Sequence, residues 1–452
     1  MDYSVALERI ERIRARFPEK GLFAQKEWLI SPQPFLISAQ FADELERLGH
    51  WLLKFVRASN LLYRLSVNGK QPSWISTYLD AGKPGELVDI SRRYGNDIPR
   101  VIRPDIILTE GGYAISELDS VPGGIGLTGW LNQTYRELGF DILGGGDGMI
   151  DGFRSILPKG VIAVSKESET YRPEMEWLCD QMSARFGPEW RVAEAETWDF
   201  RSPDALYRFF EMFDLPNLPS RESLIEAATS GNLRITPPLK PYLEEKLWFG
   251  LFWSRPLQKF WRRELRASHW SKLKSLIPQT WIMDPAPIPH HAVIPALEIQ
   301  DWRELKKFSQ KQREFVVKVS GFSELAWGSR GVYVGQDLPQ REWADSIEQA
   351  LNSFSSGPFI LQKFFKGRLV KQPYYNPATR SIETLVGRVR LCPYYFVLSE
   401  KEVRLGGALA TIVPADKKIV HGMRDAIMVP TAVELRGDDF FNHQVTEEAK
   451  RI

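Results

Sequence analysis

One stretch, VIRPDIILTEGGYAISELDS at residues 101–120, constrains the fold of this chain more than any other. Its apolar residues fall into two strand-like runs on either side of a Glu-Gly-Gly turn at 110–112, which predicts an antiparallel hairpin. Residues two apart on a strand share a face, so Glu117 and Asp119 are expected side by side. Two neighbouring carboxylates repel each other unless a cation or a set of donors lies between them. The hairpin is therefore expected to fold against a positively charged partner.

The first strand of this hairpin adds a third acid. A tight turn would bring Asp105 beside the face that carries the other two carboxylates. Three carboxylates suit a hard divalent cation such as Mg²⁺, which prefers oxygen ligands; solvated acids on an edge hairpin are the alternative. The Pro-Gly-Gly at 122–124 predicts a rigid turn with little bulk, which suits the close approach of a ligand.

The composition narrows the class of protein. Of 452 residues, 43% are hydrophobic and 26% are charged, which is ordinary for a globular protein with several domains. With 59 basic and 57 acidic residues, the net charge of +2 makes no global case for nucleic acid or an anionic membrane. Only Cys179 and Cys392 occur, so we expect no disulfide framework and a reducing compartment. No apolar run reaches the ~20 residues of a membrane helix, so we expect a cytoplasmic protein without a membrane partner.

Periodicity divides the chain into four regions and predicts a mixed α/β (α+β) fold. Residues 1–100 have a mainly helical pattern, and residues 101–150 begin with the hairpin. Residues 151–240 alternate strand and helix as a small Rossmann-like unit does, although no GxGxxG motif supports dinucleotide binding. Residues 241–452 contain a helical segment and then long strand patterns. The glycine-rich stretch at 141–153 fits a flexible linker better than a phosphate cradle.

A second candidate site lies in VVKVSGFSELAWGSRGVYVG, at residues 316–335. An apolar strand delivers Lys318 to a loop of small residues, and free N–H groups in such a loop can hold polyphosphate. The small residues are Gly321, Gly328, Ser329 and Gly331. The stretch is not a Walker A loop, because no GK[ST] leads into a helix. A glycine-rich hairpin turn with a solvated lysine is the alternative.

Three further segments carry weaker signals. In PFILQKFFKGR an apolar strand ends at Gln362 and Lys363, where a flat base can pair with backbone edges, although a plain core strand has the same pattern. Lys246 opens a helix in LEEKLWFGLF, and most lysines in such positions are solvated. Arg388 and Arg390 share one strand face, where they can form charge-assisted bonds to phosphate or carboxylate, or cross-strand salt bridges.

In this order, the segments resemble the ATP-grasp superfamily. RPDIILTEGGYAISELDSVPGG is similar to its R-x-D…E-x-N-x-x-P-G block, with Asp119 where Asn is usual. FVVKVSG…GSRGVYVG resembles its lysine strand and mobile loop, and FILQKFF resembles its hinge. The acidic block precedes the lysine strand here, as in the circularly permuted group that includes eukaryotic-type glutathione synthetase and glutathionylspermidine synthetase. The resemblance covers about residues 101–415.

The resemblance implies an ATP-dependent ligase that joins a carboxylate to an amine or thiol through an acyl phosphate. It implies ATP and Mg²⁺ as cofactors, with the metal held by Asp105, Glu117 and Asp119. The implied ATP contacts are Lys246, Lys318, Ser320, Gly321, Gly328, Ser329, Gly331, Gln362, Lys363 and Phe364. The implied catalytic residues are Arg103, Arg388 and Arg390, which would balance charge on phosphate, intermediate or substrate.

Two alternatives stay open. A regulatory ATP-grasp relative would bind nucleotide without ligation, although the retained lysines and acids favour an active enzyme. A nucleic-acid binder would use KFWRRELRASHWSKLK at 259–274, where basic residues alternate with Trp261 and Trp270; a solvated basic helix face is the simpler interpretation. The sequence leaves the substrate and the oligomeric state open.

Overall fold

The computed structural model describes residues 2–18, 27–156, 158–201, 205–326, 330–417 and 425–434. The α-helices α1–α12 are, in chain order, Tyr3–Ala15, Ala39–Val67, Trp74–Asp80, Gly85–Arg93, Ile125–Glu137, Gly148–Ile156, Arg172–Phe186, Arg221–Thr229, Leu247–Trp253, Gln258–Leu265, Ala267–Leu276 and Gln340–Asn352. The strands β1–β15 are Phe35–Ile37, Val101–Thr109, Gly112–Asp119, Gly160–Val164, Trp190–Glu194, Ala205–Phe209, Arg234–Thr236, Thr280–Ile282, Phe315–Val319, Val332–Val334, Phe359–Lys363, Leu369–Asn376, Ser381–Val397, Val403–Pro414 and Ile427–Val433.

The largest sheet has seven strands in the order β1-β15-β14-β13-β2-β3, with β12 also paired to β13. Only the β1–β15 pairing in it is parallel. The predicted hairpin at 101–120 is therefore confirmed as β2–β3, and it adds to strands that come almost three hundred residues later in the chain. Among the described strands β3 pairs with β2 alone, so it forms one edge of the sheet.

Two four-stranded sheets flank the large one. The sheet β5-β4-β6-β7 is all parallel, with α7 between β4 and β5, which confirms the predicted small α/β unit. The sheet β10-β9-β11-β8 is all antiparallel; it carries Lys318 on β9 and Gln362 on β11, and we call it the lysine sheet. The largest apolar core includes residues of the large sheet and of one face of the parallel sheet, and a second core lies on the other face of the parallel sheet. A third core lies between the lysine sheet and α12.

The glycine-rich stretch at 141–153 is not the flexible linker that the sequence favoured. Its residues 148–153 belong to α6, and a Cβ atom on Gly148 would lie 2.4 Å from the carbonyl oxygen of Gly406 on β14. The small residues thus let the start of the helix touch the backbone of the sheet.

Helix α2 is the longest described helix and is amphipathic, and its buried residues recur at helical spacing. None of the described helices combines the length and the apolar character that crossing a bilayer requires.

A buried lysine joins α2 to the segment that precedes α9. Lys240 is fully buried, and its Nζ donates to Asn60 Oδ1 (3.0 Å) and to the carbonyl oxygens of Gly95 (3.1 Å) and Asp97 (2.7 Å). The hydroxyl of Tyr242 donates to the same Asn60 oxygen at 2.7 Å. Three acceptors around one ammonium group match its three donors.

Replacing Lys240 by Met should lower the free energy of unfolding by about 2 kcal/mol, because buried acceptors would lose their donor. Urea unfolding followed by circular dichroism measures this. Lys70→Met is the matched control, since Lys70 is exposed, and it should change stability by less than about 0.5 kcal/mol. Equal stabilities of the two variants would contradict the anchoring role of Lys240.

Candidate active site

A cleft lies beside one edge of β13, where two strands pair with different halves of that edge. We call this branch point the fork of β13. The first half of β13 pairs with β12 as far as Arg388, which lies opposite Leu369, and the second half pairs with β2 from Arg390, which lies opposite Ile107. The lysine sheet closes the other side of this fork, and the cleft has an empty volume of about 1240 Å³, including space open to solvent. Eight residues singled out from the sequence line it: Asp105, Glu117, Lys318, Gln362, Lys363, Phe364, Arg388 and Arg390.

The hairpin register brings the three acids together but not onto one wall. Asp105 lies opposite Glu117 and Arg103 lies opposite Asp119, with an irregularity after Asp105. Asp105 and Glu117 line the cleft. Asp119 does not; its Oδ1 accepts a hydrogen bond from the N–H of Val121 at 2.9 Å.

Arg103 is the cation that the acidic face requires. Its Nε lies 3.1 Å from Asp105 Oδ1, its Nη2 lies 2.9 Å from Asp119 Oδ2, and its Nη1 donates to the carbonyl of Gly123 at 3.1 Å. Burial lowers the pKa of Arg103, but the two carboxylates outweigh burial and hold that pKa well above its ordinary value. Burial raises the pKa of Asp119 above its ordinary value, against the opposing effect of Arg103.

Two lysines approach the end of the hairpin. Lys246 Nζ lies 2.8 Å from Glu117 Oε1, whereas Lys318 Nζ donates to the carbonyl of Ser116 (3.1 Å) and to Gln362 Oε1 (3.0 Å). Burial lowers the pKa of both lysines. Carboxylates, Glu117 foremost, outweigh burial at Lys246, whose pKa is raised; at Lys318 they do not, and its pKa is lowered. Lys318 is therefore the less fully neutralised cation, and a polyanion in the cleft would stabilise it most.

The two arginines of β13 are held differently. Arg390 Nη1 lies 3.0 Å from Asp105 Oδ2, the cross-strand ion pair that the sequence allowed as one alternative. Arg388 instead donates to the backbone carbonyls of Gly367 (3.2 Å) and Ala415. Both side chains line the cleft, and protein groups alone hold both cations in position there.

In the segment expected to meet adenine, two backbone N–H groups already donate hydrogen bonds within the protein. The backbone N–H of Lys363 donates to the carbonyl of Gln279 (2.8 Å), and that of Phe364 donates to the carbonyl of Glu314 (2.9 Å). Recognition of a base at these two residues would therefore rely on carbonyl oxygens and side chains. Phe365, which the sequence reasoning missed, lines the cleft with 40% of its surface exposed and offers a ring face.

The hairpin acids fit a metal ion only in part. Among the described residues, no group of three or more ligating side chains is placed to hold a metal ion. Magnesium that binds with a nucleotide, however, commonly uses one or two carboxylates and the phosphates. Asp105 and Glu117, which lie opposite each other on the cleft wall, fit the role of these two carboxylates, whereas Asp119 does not.

A second, mainly apolar chamber lies on the free side of β3. It has an empty volume of about 570 Å³, part of it open to solvent. Helix α2, the turn before α9 and the 116–120 edge of β3 form its walls. Chamber and cleft share two lining residues, Ser116 and Glu117. Lys246, the partner of Glu117, lines the chamber but not the cleft.

A buried ion pair holds the start of α9 against the lysine sheet. Lys83, from the turn between α3 and α4, pairs with Glu245, and both side chains are 1% exposed. Glu245 also accepts hydrogen bonds from the Ser320 hydroxyl and, at 3.3 Å, from the N–H of Phe322. The hydroxyl of Ser320 in turn accepts a hydrogen bond from the N–H of Leu247 at 3.0 Å. One carboxylate thus ties together Lys246's helix, the end of β9 and the N-terminal region.

The Pro-Gly-Gly turn at 122–124 does not spare room for a ligand, contrary to expectation. A Cβ atom on Gly123 would lie 2.3 Å from the ring of Tyr171, and one on Gly124 would lie 2.5 Å from the hydroxyl of Tyr394. Gly124 also has a φ of 89°, which disfavours other residues. Glu174 accepts hydrogen bonds from the N–H groups at the start of α5, so this helix end is already capped.

The remaining predicted residues lie away from the cleft or outside the described residues. Ser320 and Gly321 pack against the segment before α9, and Gly331 donates its N–H to the carbonyl of Leu325. Gly328 and Ser329 lie outside the described residues.

The basic segment at 259–274 exposes little aromatic ring surface. Trp261 is fully buried, and the guanidinium carbon of Arg262 lies 4.4 Å from the ring centroid of Trp270. The stacking surface that a nucleic-acid binder would need is thus buried at one ring and partly covered at the other.

Several site residues gave no signal in the sequence. Glu211 follows β6 and acts electrostatically on Lys246; burial and then Glu244 hold its pKa well above the ordinary value. Lys83 is 162 residues from its partner Glu245. A glutamate beside Lys246 was visible in the sequence, but nothing near it indicated its partner.

No protein-family model and no curated protein matches this sequence. Among solved structures, the chain is similar to a glutathione synthetase-like effector from Globodera pallida, with a TM-score of 0.57 and 10% identity over 96% of this chain and 97% of that one. A protein from Methylobacillus flagellatus named after gamma-glutamylcysteine synthetase has a TM-score of 0.41 and 12% identity over 84% and 87%, a likeness too low to carry an argument. The first likeness confirms the expected mixed α/β fold, consistent with the ATP-grasp type.

Replacing Lys83 by Met should lower the free energy of unfolding by about 3–5 kcal/mol, because Glu245 would stay buried without its cation. The double variant Lys83→Met/Glu245→Gln should be more stable than Lys83→Met alone, since it removes both charges. Urea unfolding measures all three proteins.

The exposed pair Arg341–Asp345 supplies the control. Arg341→Met should change stability by less than about 0.5 kcal/mol. A Lys83→Met variant as stable as Arg341→Met would show that the buried pair does not hold the site together.

Proposed function

We propose that this protein is an ATP-dependent ligase that joins a carboxylate to an amine or thiol through an acyl phosphate. One observation carries the proposal: cations and carboxylates from three separate parts of the chain line the cleft between the fork of β13 and the lysine sheet, namely Asp105, Glu117, Lys318, Arg388 and Arg390. Lys246, from a fourth part, pairs with Glu117 at the wall of this cleft. The fold likeness to a glutathione synthetase-like effector supports it. A circularly permuted ATP-grasp order is part of the proposal, since the acidic hairpin precedes the lysine strand.

In this proposal the nucleotide lies along the cleft. Phe365 and the end of β11 face the base, and Lys318 and Arg390 balance the charge of the phosphates. Asp105 and Glu117 would hold Mg²⁺, which when bound neutralises phosphate charge. Arg103 keeps Asp105 and Asp119 in place and balances charge on the intermediate.

The chemistry needs no nucleophilic side chain. A substrate carboxylate oxygen attacks the γ-phosphorus, ADP leaves, and an amine or thiol then attacks the acyl carbon and expels phosphate. The protein contributes by positioning the reactants and by presenting fixed charges where negative charge is transferred. The two cysteines are both buried, and burial raises the pKa of each thiol to about 12, which suits neither as a nucleophile.

A non-hydrolysable ATP analogue with Mg²⁺ should raise the melting temperature of the wild type. Lys318→Met should weaken binding of the analogue by about tenfold or more, because a charge-assisted contact to phosphate would be lost. Lys318→Arg should keep part of the affinity, and Lys371→Met, at an exposed position on β12, should keep all of it. Calorimetric titration of the folded proteins measures the affinities.

Failure of the analogue to bind the wild type, or equal affinity in Lys318→Met, would overturn the nucleotide site. Binding of the analogue without ADP formation from ATP, across a wide panel of carboxylates and amines, would favour the regulatory alternative.

A further inference from the structure

We propose that the chamber on the free side of β3 binds the body of the carboxylate substrate, and that this body is a slender apolar or aromatic group. The inference rests on the proposed function, because it assigns the substrate that the ligase would activate. It names a class of acid, an apolar monocarboxylate, rather than a polar amino acid or a dicarboxylate.

The walls of the chamber are the first argument. Phe55 and Val56 come from α2, Ile102 from β2, and Trp248 and Phe249 from α9. A polar substrate would find few hydrogen-bond partners on these walls, since the hydroxyl of Ser59 already donates to the carbonyl of Phe55 at 2.9 Å. A polar substrate body would lose water in this chamber without gaining hydrogen bonds, whereas an apolar body loses only unfavourable hydration.

The distribution of charge in the chamber is the second argument. Its charged residues sit along the 117–119 edge and the turn at 245–246. Glu245 is committed to Lys83 and Ser320, and Asp119 is committed to Arg103. Lys246 is the cation that remains for a ligand, because its partner Glu117 is 34% exposed and can turn to another cation. An apolar acid lying in the chamber would therefore point its carboxylate at Lys246.

Continuity with the cleft is the third argument. Ser116 and Glu117 line both spaces, and Lys318 donates to the carbonyl of Ser116 from the cleft side. A carboxylate at Lys246 thus lies beside the wall against which the proposed phosphates are held.

The test uses hydroxylamine as the acceptor, so that the natural amine need not be known. The carboxylate of the probe attacks the γ-phosphorus and ADP leaves; the nitrogen of hydroxylamine then attacks the acyl carbon, phosphate leaves and a proton is released, and a hydroxamate remains. The probes are 3-phenylpropionate and glutarate, which share a chain of methylenes ending in a carboxylate but differ at the other end.

Binding is measured separately, by calorimetric titration of each acid in the presence of ADP and Mg²⁺. We expect 3-phenylpropionate to bind more tightly than glutarate and to form the hydroxamate faster. Val56→Phe should weaken binding of 3-phenylpropionate by about tenfold, because the added ring would occupy space in the chamber that the ligand needs. Val67→Phe is the matched control, the same change on the same helix outside the chamber, and it should leave binding unchanged.

The possible results separate the two proposals. Tighter binding of glutarate, or equal binding of 3-phenylpropionate to Val56→Phe and Val67→Phe, overturns the assignment of the chamber even if hydroxamate forms. Binding of 3-phenylpropionate that Val56→Phe abolishes, without hydroxamate from any acid, supports the chamber and overturns the ligase. Affinity of ADP for Val56→Phe, which should equal that for the wild type, shows that the nucleotide cleft of the variant is intact.

Discussion

The desolvation of four cations is the constraint on which the rest of the site depends. Burial lowers the pKa of Arg103, Arg390, Lys246 and Lys318, so each needs a nearby carboxylate or acceptor to stay charged at modest cost. The β2–β3 hairpin supplies that charge from its two strands. Three carboxylates on one hairpin suggest a metal site, but in this fold they form ion pairs with Arg103, Arg390 and Lys246 that offset the burial of these cations and hold them in position. A site that must bind polyphosphate gains from cations fixed in this way, because little reorganisation is left for the moment of binding.

The N-terminal region is part of this arrangement rather than an appendage to it. Lys240 fixes the segment before α9 to α2, and Lys83 reaches Glu245 beside Lys246. The hydroxyl of Tyr78 donates to Asp284 next to β8, and the ring of Tyr78 packs edge-on against Phe354 at 5.0 Å. The region thus contacts both the segment that carries Lys246 and the sheet that carries Lys318. These contacts add to a direct link between the two, in which the N–H of Lys246 donates to the carbonyl of Ser320, just after β9, at 3.4 Å.

The sequence predicted those parts of the fold whose signal is local. Strand alternation and a Glu-Gly-Gly turn were enough for the β2–β3 hairpin, and short apolar runs alternating with a helical pattern were enough for the parallel unit. Contacts between distant segments had no such signal: Arg390 and Asp105 are 285 residues apart, and the fork in β13 depends on which strands pair there. The Pro-Gly-Gly turn was misread for the same reason, since small residues beside a ligand and small residues beside Tyr171 look alike in sequence.

The ion pairs at the site differ in a way that bears on what each can do. Lys83–Glu245 is 1% exposed at both side chains, so separating it would leave two charges without water or an opposite charge. In Lys246–Glu117, by contrast, the lysine is 12% and the carboxylate 34% exposed, and Glu117 can be rehydrated if its partner turns away. The first pair therefore suits fixed geometry and the second suits exchange with a ligand. Because Glu117 lines both the cleft and the chamber whereas Lys246 lines the chamber alone, an anion that enters the chamber would compete with Glu117 for the lysine.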